Sequence, residues 1–240
     1  MFKTQVLVIK KQNYRETDRI LTVLSPDFGK KTVIAKGIRK PLSKMAGHLD
    51  TLMLAKIILT HDQELPTVIS CDLTAPFEQI RKSLPKMDQA SSIIRLIDKA
   101  ILENVDQEHF FNLTIGILNH IDKGNPWPNN WLYFLSKILT LLGLECSSAK
   151  CSVCREKINM GYKNIADRDM FCERCVKDKN NLIQLDEREL KLIYILNNYP
   201  LEKIERIPIP EETAQRVEEV LLRDITEWLG INWNKYTGLK

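Results

Sequence analysis

The chain of 240 residues has no stretch near the roughly 20 consecutive apolar residues that a membrane span requires. Its most apolar run, 132–144, is too short and carries Lys137. The opening Met1-Phe2-Lys3-Thr4-Gln5 has neither the basic leader nor the long apolar core of a secretory signal. Both absences predict a cytoplasmic protein whose six cysteines are reduced or metal-bound rather than bridged. Catalytic signatures are missing too. There is no P-loop, no GxGxxG and no GxSxG, and His48, His61, His109 and His120 fall in neither an HExxH nor an HxE pattern. This argues against a nucleotide-driven motor, a metalloprotease, a deaminase and the common hydrolases. Internal repeats and low-complexity segments are absent. With 44% apolar and 28% charged residues the composition is globular, and the length supports a core without disulfides.

Net charge is small, +4, but unevenly placed. Residues 1–80 hold 12 basic and 8 acidic side chains, whereas 81–240 balance at 23 each. Within 28–48 stand Lys30, Lys31, Lys36, Arg39, Lys40 and Lys44, with no acid among them. A single-sign field of this kind attracts polyanions, nucleic acid first among them. The bland alternative is a solvated loop.

The first 75 residues read as strands, at 4–11, 18–24, 31–35, 49–60 and 65–71, separated by turn signals such as Ser25-Pro26-Asp27-Phe28-Gly29. Five short strands fit an OB-type barrel, whose open face binds oligonucleotides, and an SH3-like barrel is also compatible. After Pro76 the apolar period becomes helical, over 89–105, 109–121 and 130–142, with Gly143 placed to end the third helix. Asp186 with Glu189 forms a capping box before another helix, and Glu211 opens a last one that Gly230 stops. The expected class is therefore α+β multidomain: a five-stranded OB-type barrel at 1–78, a helical domain from 79–145 and 182–240, and an inserted cysteine module at 146–181.

Cys151-x-x-Cys154 and Cys172-x-x-Cys175, 17 residues apart, have the spacing of a zinc ribbon. Zn²⁺ takes four tetrahedral ligands, each CxxC turn delivers two thiolates, and a filled Cys₄ site has no open position for catalysis. One structural Zn²⁺ is expected. Arg155, Lys157, Arg174 and Lys177 are placed to support the anions. A redox dithiol and unrelated core cysteines are the competing readings. Cys146, five residues upstream, is a buried bystander or a substitute ligand.

Three segments carry a resemblance over essentially the whole chain. Tyr14-Arg15-Glu16-Thr17-Asp18-Arg19-Ile20-Leu21, Asp27-Phe28-Gly29-Lys30 and Ala35-Lys36-Gly37-Ile38-Arg39-Lys40-Pro41-Leu42-Ser43-Lys44, taken with the late Cys₄ cluster, resemble the RecO family of bacterial recombination mediators. Many members carry a glycine pair before the third cysteine, where this chain reads Arg168-Asp169-Met170-Phe171. The resemblance implies a non-enzymatic protein that binds single- and double-stranded DNA and anneals complementary strands. It also implies work with RecR, and often RecF, to load RecA on DNA coated by single-strand-binding protein. Its fold would be an N-terminal OB domain followed by a helical domain with a zinc module.

On physical grounds Lys36, Arg39, Lys40 and Lys44 lie in a loop that lets long cations reach a passing backbone, contacts that position DNA without reading it. Tyr14 is the candidate base platform, and Phe28 is expected to cap the barrel core. Arg15 and Arg19 either contact DNA or pair with Glu16 and Asp18. Trp127 and Trp131 are expected in a packed corner. An apolar groove between helices, with Lys137 and Arg95 as cations, is a candidate for the tail of single-strand-binding protein. A zinc-ribbon transcription or RNA-binding factor, and an enzyme with structural zinc, are the other classes.

Overall fold

The computed structural model describes residues 1–60, 64–103, 108–124, 128–145 and 150–230. Cys146, Trp127, His61 and the end of the helix expected over 89–105 lie outside these ranges.

The short β-branched runs form β1 (Phe2–Tyr14), β2 (Asp18–Ser25), β3 (Gly29–Ala35), β4 (Leu54–Leu59) and β5 (Val68–Ala75), in the sheet order β3-β2-β1-β4-β5. β1 is shared between both halves. Phe2 to Leu7 pairs with β4, Leu7 to Tyr14 pairs with β2, and an irregularity between Val8 and Lys10 lets the strand bend from one to the other. Ile34 donates its N–H to the Pro66 carbonyl at 2.9 Å beside a parallel bridge to Thr67, which brings β3 to the start of β5. This partly closed five-stranded arrangement is OB-type. Inward positions such as Val6, Val8, Leu21, Val23, Val33 and Ile57 fill the barrel. The strand expected over 49–60 starts only at Leu54. Asp50 accepts the Thr51 N–H at 2.6 Å and Leu52 takes a φ of 61°, so these residues turn instead of extending.

Two compact units divide the chain, Met1–Pro126 and Trp127–Lys240. The change from strand to helix falls earlier, so α1 (Glu78–Lys82), α2 (Leu84–Ala100) and α3 (Glu108–Lys123) belong with the barrel. The Asp122 carboxylate on α3 accepts the Ile80 N–H of α1 at 2.9 Å. α2 stops at Ala100, short of the expected length, because the chain then runs extended to dock on β3. There Glu103 bridges Lys30 and accepts the Thr32 hydroxyl at 2.9 Å. Lys30 turns inward, 8% exposed, and donates to the Asp98 carbonyl at 2.6 Å while its ammonium faces the Asp98 carboxylate at 3.6 Å. Its expected place among exposed cations is thereby corrected: the residue pins the helices to the barrel.

The second unit contains α4 (Pro128–Leu141), β6 (Gly161–Asn164), β7 (Met170–Cys172), β8 (Leu182–Leu185), α5 (Glu187–Asn198), α6 (Leu201–Ile204) and α7 (Glu211–Leu229). Apolar stripes on α4, α5 and α7, among them Phe134, Leu135, Ile193, Leu196, Val217 and Leu221, are buried together. Both halves of the expected capping box form, at 2.8 Å each. Gly230 ends α7 at a φ of 62°, a conformation open to glycine. The module around the cysteines is a three-stranded sheet, β7-β6-β8. On it the fully buried Lys163 of β6 forms an ion pair with the equally buried Asp224 of α7. Breaking a buried pair strands one charge. Lys163→Met is therefore expected to cost about 3–5 kcal/mol, read as a fall in thermal midpoint, with most of it recovered in Lys163→Met/Asp224→Leu.

Candidate nucleic-acid interface and metal centre

The basic segment is anchored at both ends. Ile38 and Leu49 are buried in the barrel core and Met45 packs against it, so the loop between them is tied down. Asp18, the first residue of β2 and paired across the ladder with Tyr14, faces this loop. Its carboxylate accepts the Gly37 N–H at 2.7 Å and the Thr17 hydroxyl at 3.1 Å. The Arg39 N–H donates to the Thr17 carbonyl at 2.9 Å, and the Arg39 guanidinium reaches the Arg15 carbonyl at 3.5 Å. The β1–β2 turn and the loop after β3 thus form one rim. The Gly37 N–H, above all, holds the Asp18 carboxyl below its ordinary value; burial opposes this, and Thr17, Arg15 and Lys36 assist.

On this rim Tyr14, Arg15, Lys36, Arg39, Lys40 and Lys44 are exposed. Among the described residues, none of these five cations forms an ion pair with a carboxylate. Arg15, at a φ of 51°, lays its guanidinium over the Tyr14 ring at 5.2 Å, so one face of the expected base platform already carries a cation. Arg19 is half-buried and donates to the Asn13 side chain at 3.4 Å; neither arginine pairs with Glu16 or Asp18. Lys31, also half-buried, lies over the Phe28 ring at 5.7 Å. Phe28 packs against the barrel core with its ring 6.2 Å from that of Phe2, the capping place expected for it.

Other expected residues are occupied locally. Lys137 donates to the Asn197 carbonyl at 2.6 Å, near the C-terminal end of α5, and burial lowers its pKa. Arg95 binds the Ser92 hydroxyl at 2.9 Å, and it belongs to the first compact unit while Lys137 belongs to the second. Trp131 donates to Glu218 at 2.7 Å and stacks on Phe134, in a packed corner.

The four cysteines converge. Cys151, Cys154, Cys172 and Cys175 place their Sγ atoms within 4.8 Å of one another, and the Cys154 and Cys172 sulfurs are 3.8 Å apart. Metal–sulfur bonds of about 2.3 Å in a tetrahedron require sulfurs about 3.8 Å apart, so the cluster could hold one such ion. Each knuckle is shaped by its backbone. Arg155 N–H returns to the Cys151 carbonyl at 2.9 Å, and the Val176 N–H returns to that of Cys172 at 3.0 Å. Burial pushes the Cys151 thiol up, but the N–H groups of Cys154, Cys172 and Val153 outweigh it and bring it down to about 6. Cys175, hydrogen-bonded to Cys172 and partly desolvated, is pushed up to about 12. Four thiolates cannot share this space without a cation. Arg174, expected to support them, pairs with Glu156 instead. Arg168 occupies the β6–β7 turn at a φ of 61°, a conformation that favours glycine. The periodicity of the chain gave no sign of the Asp18 clasp or of Lys163 with Asp224. The only signals were an acid closing the β1–β2 turn and a lysine between Tyr162 and Asn164 in a four-residue strand.

These features define an OB-barrel protein with attached helices and a four-thiol metal module. The profile described as Recombination protein O N terminal matches residues 1–77, and that described as Recombination protein O C terminal matches 81–236. The chain belongs to the RecO family, whose role is DNA repair and recombination. It is 25% identical over 232 residues to DNA repair protein RecO of Listeria monocytogenes serotype 4a, covering 96% of this chain and 91% of that one. It is 25% identical over 230 residues to DNA repair protein RecO of Desulforamulus reducens, covering 95% and 89%. The protein of the same name from Bacillus cytotoxicus is 24% identical over 229 residues, covering 95% and 92%. No helix among the described residues is long and apolar enough to cross a membrane.

Two measurements follow from this geometry. In the parent protein the Gly37 amide should exchange slowly above the ordinary carboxylate range and lose protection as pH falls through the lowered Asp18 value. Asp18→Ala should remove that protection at neutral pH and leave the barrel-core amides unchanged. Metal analysis of the native protein should find about one ion per chain, and stoichiometry near zero would remove the metal site.

Proposed function

We propose that this chain is a non-enzymatic recombination mediator. Its barrel rim binds single- and double-stranded DNA through phosphates and brings complementary strands together. The observation that carries the reading is the exposed group Arg15, Lys36, Arg39, Lys40 and Lys44, unpaired with carboxylates and tied to one rim by Asp18. Arg19, Lys31 and Tyr14 stand at its margin; Lys30 does not take part. Cations on one surface screen two strands from each other, so bases can find partners without hydrolysis. Family membership supports partners of the same pathway: RecR, RecF, single-strand-binding protein, and RecA indirectly. It also supports a place at the cytoplasmic nucleoid. Four thiolates at tetrahedral spacing favour structural Zn²⁺, which braces the module over 146–181 inside the helical part while the barrel, 1–78, does the binding.

Five neutralised phosphates give a roughly hundredfold loss of single-strand affinity between 50 and 200 mM salt. Lys36→Glu/Arg39→Glu/Lys40→Glu should abolish single-strand binding with the fold intact, and unchanged affinity would end the assignment. The parent should anneal strands coated with cognate single-strand-binding protein in the absence of ATP, and should bind mixed sequences within a few-fold of one another. A nucleotide requirement, or strong sequence preference, would count against the mediator.

A further inference from the structure

The loop after β3 already uses its apolar residues inward, at Ile38, Met45 and Leu49, but one is left out. Leu42 is 95% exposed, more than any other large apolar side chain among the described residues. The exposure is built in. Ser43 donates its N–H to the Lys40 carbonyl at 2.9 Å, so Pro41 and Leu42 form the tip of a β-turn, with proline at the position that presets its φ. Further turns, from Lys40 to Gly37 at 3.1 Å and from Ala46 to Ser43 at 3.3 Å, continue on either side. Lys40 and Lys44 flank the tip, both exposed and without an ion pair among the described residues. Leu84 is also highly exposed, yet its neighbours are engaged: Lys82 pairs with Glu78 at 3.5 Å and Lys86 donates to the Asp122 carbonyl at 3.2 Å.

We propose that Leu42 is a base-contacting residue, held at the tip of the cationic loop to pack against the face of a nucleobase whose phosphates lie on Lys40 and Lys44. The inference rests on the nucleic-acid reading of the same rim and names the contact that reading lacks. A strand of nucleic acid alternates anionic phosphates with flat, weakly hydrated bases. That alternation matches a leucine set between two unpaired lysines in a segment, 28–48, without an acid. Leucine has no hydrogen-bonding group, so the contact is blind to sequence. Packed against one base, it parts that base from its neighbour, as apolar wedges do in duplexes.

The test uses the full chain and a mixed-sequence single strand carrying 2-aminopurine. Parent protein should change the probe's emission. Leu42→Ala should lose that change at saturating protein and bind about tenfold more weakly, with the salt dependence of binding unaltered. Leu42→Phe should restore both signals. Identical emission and affinity for parent and Leu42→Ala would overturn the inference, as would a shallower salt dependence in Leu42→Ala, which would mean the lysines had moved. If the parent binds no strand at all, the nucleic-acid reading falls and takes this contact with it.

Discussion

The hydrogen bond from the Gly37 N–H to the Asp18 carboxylate is the constraint on which the rest of the rim depends. Lys36, Arg39, Lys40 and Lys44 carry one sign of charge within nine residues and repel each other. Left to itself, such a segment extends into solvent. A charge-assisted bond to backbone stops this without neutralising any side-chain cation. A salt bridge would have held the loop at the cost of a cation. The choice of a main-chain donor leaves the rim cations without an ion-pair partner among the described residues, while the carboxylate still acts on Arg15 and Lys36 nearby. The same bond fixes the next residues, because Arg39 returns its N–H to Thr17 on the other turn.

The second unit shows a different balance. The buried pair of Lys163 and Asp224 joins the cysteine module to α7 within the second unit, and one Asp224 oxygen has no hydrogen-bond partner among the described residues. Burial raises the Asp224 carboxyl in spite of the lysine beside it. Pairs of this kind contribute little net stability, yet they tolerate few alternative geometries. Gly161 sharpens this, since a Cβ there would stand 2.9 Å from Ile158 and 3.0 Å from Met170. The module is a tight fit around its strands, and its four thiols converge on one point within it.

Much of this was legible in the sequence. The five strands, the capping box at Asp186, the helix from Glu211 to Leu229 and the CxxC pairs are local signals, written in period, spacing and turn residues. What could not be read were interactions between distant segments. Lys30 has the same chemistry as Lys36, and it is the approach of Asp98 on α2 and of the extended chain at Glu103 that buries one of them. The early end of α2 has the same origin, since Ile101 and Leu102 continue its apolar stripe while the backbone departs to reach β3. The strand expected from 49 failed because the Asp50 side chain binds the adjacent backbone, a choice that apolar content does not encode. The three short strands around the cysteines, four residues or fewer each, lack the length for a periodic signal.

The bridges of Glu103 to Lys30 and of Thr67 to Ile34 occupy two positions on the outer border of β3. A strand border left open is a template for a further extended chain, whether from a neighbour or from a second copy. Here two positions of that border are filled from within. An extended chain approaching β3 finds those two positions taken, so it could add a strand there only by displacing Glu103 or Thr67.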